Sequence, residues 1–289
     1  MPPMPEATLI TVAPTGAESP PEAHPALPVT LPALVTAAQA CQAAGAAMIH
    51  VHLRDAAGRP TLDGALLAEA VAALRSETDL IVQLSTGGSV HDPFEARLAV
   101  LDARPDSCSL TTGTVNFGDD VFHNPWPFVV ELYQRTQELG VLPEFELFDL
   151  GHVAALNRLL DKHGPPAGGH VHADFVLGVP GGMPGTAQAL VAAVALLPPE
   201  ATWSATGIGR TSVPVLLAAL ALGGGLRVGM EDTLTYAPGR PVRDNAELVA
   251  RAARLANEAQ RPPLTPDAAR SVLGLTTASP TPGAQGGDH

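Results

Sequence analysis

The stretch Met48-Ile49-His50-Val51-His52-Leu53-Arg54-Asp55 is an apolar, strand-like run that ends just before a Gly58-Arg59-Pro60 turn. Successive side chains of a strand point to opposite faces, so His50 and His52 share one face and Ile49, Val51 and Leu53 the other. Two imidazoles side by side supply two nitrogens to a metal. Buried histidines also pair with backbone carbonyls, so the pair reads as a metal site only with a third ligand from elsewhere in the chain.

Outward from that run the chain keeps one rhythm. Short β-branched, apolar runs lie at 9–13, 48–53, 80–84, 107–111, 144–148, 171–177, 202–206 and 226–229. Between them, Ala/Leu-rich stretches predict helices near 31–44, 63–76, 93–102, 126–139, 152–163, 186–197, 211–222 and 244–259, with a last short one at 266–273. Eight strand–helix units predict an α/β fold in which a parallel sheet closes into a single (β/α)8 TIM barrel. An open doubly wound sheet is the alternative, but no Gly-x-Gly-x-x-Gly follows the first strand. The length of 289 residues suits one barrel, which typically needs about 250. The catalytic barrel is expected over residues 1–275. The Pro-, Gly-, Ser- and Thr-rich 276–289 is expected to be a disordered tail.

Composition narrows the function. Hydrophobic residues make up 46% and aromatics only 4%, which predicts a core of small aliphatic side chains of the kind found where helices cover a parallel sheet. A net charge of −13 repels phosphate backbones and anionic lipid, which argues against nucleic-acid and membrane partners and leaves a small-molecule substrate. Cys41 and Cys108 are too few and too far apart for a disulfide scaffold, and read as buried thiols in a reducing cytoplasm. The first residues lack the basic and apolar regions of a signal peptide.

Barrel enzymes keep their chemistry at the carboxyl ends of the strands. Polar residues concentrate there: Thr15-Gly16-Ala17-Glu18, His50 and His52, Ser85-Thr86-Gly87-Gly88, Ser109 with Gly113-Thr114-Val115-Asn116, Glu146, Gly207-Ile208-Gly209-Arg210, and Arg227 with Glu231-Asp232. Closing the barrel sets the eighth strand beside the first and two strands from the second, so Glu231 can reach a cation held by His50 and His52. Two imidazoles and one carboxylate are a catalytic zinc set that leaves a coordination position open. Mn2+ and Fe2+ accept the same set, and Glu231 has the alternatives of capping the next helix or pairing with Arg227. Arg227 and Asp232 read either as a structural ion pair or as an oriented base, the Arg lowering the carboxyl pKa. Ser85, Thr86 and Gly88 offer hydroxyls and exposed N–H groups suited to a carboxylate or oxyanion. Gly207-Ile208-Gly209-Arg210 falls where barrels often hold phosphate, a helix cap being its alternative.

In order along the chain, TVAPTGAE, HPALPVT, AAGAAMIHVHLRDAAGRP, IVQLSTGG, GTVNFGDDVFHN, PEFELFDLG, FVLGVPGG, GIGR and RVGMED resemble the β-keto acid cleavage enzymes, a likeness that runs from about Leu9 to Leu275. The resemblance implies a TIM barrel with zinc on His50, His52 and Glu231, and a homo-oligomer, a tetramer. It implies an acyltransferase in which a β-keto acid and acetyl-CoA become acetoacetate and a new acyl-CoA, with Asp232, oriented by Arg227, as the base. Ser85 and Ser109 match positions that contact substrate, and Glu18 and Glu146 match acidic positions lining the pocket. Ser109 departs from a family Thr, and Thr211-Ser212 from a bulkier Trp-His, which leaves the particular keto acid open. The competing functions are a metal-dependent aldolase or hydrolase that needs no CoA, and a non-catalytic small-molecule binding barrel.

Overall fold

Residues 6–275 are described by the computed structural model, and within them the eight apolar runs pair in chain order into a closed parallel barrel. The strands are β1 (Ile10–Val12), β2 (Met48–Val51), β3 (Ile81–Leu84), β4 (Ser107–Thr111), β5 (Leu142–Leu147), β6 (His172–Leu177), β7 (Thr202–Gly207) and β8 (Gly225–Val228). β8 closes the ring on β1, with Ile10 opposite Leu226 and Val12 opposite Val228. The expected tail lies outside the described residues.

The covering helices are α1 (Leu31–Ala44), α2 (Gly64–Glu77), α3 (Phe94–Ala99), α4 (Trp126–Leu139), α5 (Leu150–His163), α6 (Ala187–Val194), α7 (Ser212–Leu222) and α8 (Asn245–Glu258), followed by α9 (Pro266–Val272). Their starts follow capping chemistry: Thr30, Asp63, Asp149, Thr186, Asp244 and Thr265 each accept a backbone N–H of the first turn. The helix expected near 93–102 is split into α3 and a 3-10 turn over Val100–Ala103. Among the described residues no helix is long and apolar enough to cross a membrane.

Alternation along the strands sorts the residues into three environments. Outward-facing Ile49, Val51, Phe145, Leu147, Phe175 and Leu177 pack under the helices in the main core. Low in the barrel, Leu9, Met48, Ile81 and Leu142 form an apolar plug sealed by Ala269 and Leu273 around α9. Above the plug the inward positions are polar and buried: His50, Gln83, Ser107, Glu144, Glu146, His172, Asp174, Ser204, Thr206 and Arg227. Barrels usually fill this space with branched aliphatic side chains, so a polar interior is a departure that calls for a chemical reason.

Two-residue to three-residue ribbons rise above the carboxyl ends of three strands: Leu53–Arg54 with Pro60–Thr61, Val115–Phe117 with Asp120–Phe122, and Thr235–Ala237 with Arg240–Pro241. They wall in the mouth of the barrel.

Candidate active site

The chain leaves β8 by folding back over β1. Ala13 N–H donates to the Val228 carbonyl (2.9 Å) and Glu231 N–H to the Ala13 carbonyl (3.2 Å). A Cβ on Gly229 would lie 1.8 Å from the Ala13 oxygen, so only glycine lets the strand end come this close. That crossing carries Glu231 toward β2. His50 Nε2 and His52 Nε2 lie 3.2 Å apart, and Glu231 Oε1 is 3.8 Å from the first and 3.7 Å from the second. Tetrahedral zinc with bonds of about 2.05 Å sets its ligand atoms about 3.3 Å apart, close to this triangle.

Three further observations fit the triad to a divalent cation. Burial, reinforced for His50 by Arg227, lowers both histidine pKa values, so both imidazoles are neutral at pH 7 and each keeps a nitrogen lone pair. Glu231 Oε2 is buried without a hydrogen-bond partner. Finally, the carboxylates of Glu146, Asp174, Glu231 and Asp232 gather around a single guanidinium, that of Arg227, while the buried Glu144 pairs with His172 (3.1 Å). So much like charge in a low-dielectric interior favours bound protons or a cation.

Arg227 organises this cluster. Its Nη1 donates to Glu146 Oε1 (3.0 Å), and its Nη2 to Glu231 Oε1 (2.5 Å) and Asp232 Oδ1 (3.2 Å). Burial alone would raise the Glu231 pKa, but Arg227, His52 and His50 outweigh it and hold the carboxyl at about 2. For Asp232 the balance reverses. Burial and the neighbouring Glu231 outweigh Arg227 and push the carboxyl up to about 7. Arg227 alone would lower the value, as the sequence predicts; burial and Glu231 reverse it. Deeper still, burial and Glu144 push Asp174 well above the usual carboxylate range, and its Oδ2 accepts from Thr206 Oγ1 (2.6 Å).

The turn after β3 faces the triad. Gly87 N–H donates to Ser85 Oγ (3.2 Å), which leaves the Ser85 proton free to point into the cavity. Gly88 lines the cavity at φ +59°, where an added Cβ would strike Asp92. Thr86 and Ser109 stand behind this wall instead: the Thr86 hydroxyl donates to the Ser109 carbonyl (2.6 Å), and Thr86 N–H to Ser109 Oγ (3.3 Å). Glu146 is at the wall with both oxygens engaged, one by Arg227 and one by Thr111. Glu18 sits at the exposed rim, and Arg210 is exposed away from the cavity.

Several residues of the site carry no mark in the sequence. Gln83 Oε1 contacts His50 Nδ1 (2.5 Å) while its Nε2 donates to Ser107 Oγ (3.1 Å). Arg54 donates to the carbonyls of Gly16 (2.7 Å) and Ser19 (2.8 Å), pinning the loop after β1 against Glu231. Arg97 ties the β3 turn to the 115–122 ribbon through Thr86, His123 and Asn124, its guanidinium stacked on Phe122 and Phe128. The cavity has a volume of about 390 Å³, and Val90, Phe117, Phe122, Phe148, Val176 and Ile208 form the apolar part of its lining.

Comparison with known proteins places this geometry. Residues 7–275 match the family described as beta-keto acid cleavage enzyme. The chain is 36% identical to a 3-keto-5-aminohexanoate cleavage enzyme of Acetoanaerobium sticklandii, covering 94% of this chain and 99% of that one. It is 34% identical to a 3-oxoadipate:acetyl-CoA acetyltransferase of Cupriavidus necator, over 94% and 96% of the two chains. The apo structure of ObcA superposes with a TM-score of 0.73 at 22% identity, over 86% of this chain and 66% of that one, a likeness of fold. The chain is an enzyme of the β-keto acid cleavage family.

Proposed function

We propose that this enzyme converts a β-keto acid and acetyl-CoA into acetoacetate and a new acyl-CoA, with one Zn2+ held by His50, His52 and Glu231. The observation that carries the reading is the placement of Asp232. Its Oδ1 is held by Arg227 while its Oδ2 is buried without a partner beside the three candidate ligands. A carboxyl raised to about 7 accepts a proton from an acidified C–H far better than one at the ordinary aspartate value.

In this scheme Asp232 Oδ2 takes the proton from the carbon between the keto and carboxylate groups. That carbon attacks the thioester carbonyl of acetyl-CoA, forming a new C–C bond as the CoA thiolate leaves. The thiolate then attacks the original keto carbon, the older C–C bond breaks, and Asp232 returns its proton to the departing acetoacetate. Arg227 holds Asp232 in place through both half-reactions. The Ser85 hydroxyl and the backbone at Gly88 face the substrate, Glu18 borders the entrance, and Glu146, Thr86 and Ser109 hold the lining from behind. When bound, the ion would supply electrophilic stabilisation of negative charge on the substrate oxygens.

The relatives named for acetyl-CoA transfer and for cleavage of a keto acid support the same reaction. The proposal includes a cytoplasmic homotetramer; apolar side chains left exposed on α6 and α7, Val191, Leu217 and Leu222, support an interface between copies of the chain. Light scattering on the purified protein measures the assembly. The reaction is tested by acetoacetate formation from β-keto acids with and without acetyl-CoA, before and after exhaustive chelation. Turnover that needs the thioester, stops on chelation and returns with zinc supports the reading; undiminished activity in the chelated protein overturns it.

A further inference from the structure

The cavity is sharply divided, and the division bears on which β-keto acid fits. Its polar end is the triad with Arg227, Asp232 and Ser85. The rest of its wall is drawn from four loops and one strand and is apolar: Val90 after β3, Phe117 and Phe122 of the ribbon after β4, Phe148 after β5, Val176 within β6, and Ile208 after β7. Phe148, Phe122 and Val176 are themselves buried and pack into one cluster, so the wall is a fixed surface, with Phe117 edge-on to both Phe122 and Phe148 at 6.3 and 6.0 Å.

On the cavity lining every charge outside the triad is already paired except Glu18, which stands at the exposed rim and not on the apolar wall. Arg227 is enclosed by four carboxylates. Both oxygens of Glu146 are engaged by Arg227 and Thr111. Glu18 is exposed to solvent at the rim, with the Arg54 guanidinium as its electrostatic neighbour. The relatives compared above are named for acids that carry an amino group or a second carboxylate at this end.

We infer that the preferred substrate of this enzyme is a β-keto acid whose acyl tail is apolar and uncharged, lying against the Val90–Phe148–Val176–Ile208 wall. The inference rests on the proposed reaction and deepens it. A charged tail pressed on this wall loses water and gains no partner, whereas an alkyl tail gains contact area, so discrimination of at least about tenfold follows.

The test uses three β-keto acids of equal chain length ending in a methyl, an ammonium or a carboxylate group, each with acetyl-CoA and the metal-loaded enzyme. The expected result is a kcat/KM for the methyl-ended acid at least about tenfold above both others. Equal rates, or a preference for either charged tail, overturn the inference while leaving the reaction intact; equal rates would assign the wall to the CoA arm instead. Absence of acetoacetate from all three refutes the reaction itself. In that event calorimetric binding of the same three acids still measures the tail preference. A second arm uses Ile208→Lys at a half-exposed wall position, with circular dichroism to check folding. It should move preference toward the carboxylate-ended acid by about tenfold relative to wild type, and an unchanged ranking in the folded variant counts against the wall as the tail site.

Discussion

His50 Nδ1 and Gln83 Oε1 lie 2.5 Å apart, on residues that face each other directly across β2 and β3. Ser107 Oγ accepts from the Gln83 amide nitrogen, which orients the amide so that its oxygen, an acceptor only, meets the ring. That contact places the imidazole proton on Nδ1 and leaves the Nε2 lone pair toward His52 and Glu231. Gln83→Met should therefore weaken zinc binding by about 10–100-fold in a chelator competition. Gln83→Glu keeps an acceptor on Nδ1 and should retain affinity. If both variants lose it equally, packing rather than proton placement is what Gln83 supplies.

Gly16 stands at φ +65°, and a Cβ there would lie 2.7 Å from Glu231 Cγ. Gly16→Ala has to strain the backbone, at about 1–2 kcal/mol, and push the carboxylate away from the histidines. The expected outcome is a folded protein with a modestly lower Tm and a clear loss of zinc affinity. Wild-type affinity in that variant would mean that Glu231 does not hold the ion.

Arg227 is the only guanidinium inside the carboxylate cluster, 3.0 Å from Glu146, 3.9 Å from Asp174 and 3.2 Å from Asp232. Arg227→Met leaves those carboxyls buried without their counter-charge, a loss of about 3–5 kcal/mol by analogy with other broken buried pairs. Denaturant unfolding of the chelated protein measures it. Arg227→Lys should recover only part of the loss, because one ammonium cannot span Glu146 and Asp232 as the forked guanidinium does. Full recovery by lysine would reduce the role of Arg227 to a point charge.

The eight strands were readable because each is short and puts aliphatic or aromatic residues at its outward, helix-covered positions, even where the inward positions are polar. Two strands differ from the reading by two residues: β2, read to 53, ends at Val51, and β5, read from 144, starts at Leu142. Pro143 looks like a strand breaker, yet it sits within the strand opposite Cys108. The three rim ribbons left no such trace, since their strands are two or three residues long and half exposed. Within the site, His50, His52 and Glu231 were legible because strand alternation and barrel closure alone bring them together. Gln83 was not, because its partner is set by the β2–β3 register. Arg54 and Arg97 were not, because most of their partners are backbone carbonyls, which have no sequence signature. The apolar wall gathers one or two residues from each of four loops and from β6, and exists only once the barrel has closed.

Asp232 links the site to pH in two measurable ways. As a base it must be ionised, so its pKa of about 7 predicts an acid limb in kcat/KM that falls tenfold per unit of pH below the apparent pKa, with bound zinc pulling that limb lower. Asp232→Asn should keep its zinc while losing exchange of the substrate's α-proton. In the chelated protein the same shift acts on stability with the opposite sign. The folded state holds the Asp232 proton up to about pH 7 and the unfolded chain releases it near 4, so the folded state binds more protons in that window and stability falls as pH rises through it. A displacement of about three pKa units corresponds to roughly 4 kcal/mol. Chelated wild type should therefore lose Tm relative to chelated Asp232→Asn between pH 4 and 7. Parallel Tm curves for the two proteins across that range would mean that Asp232 is ionised throughout, and would remove the ground for its strength as a base.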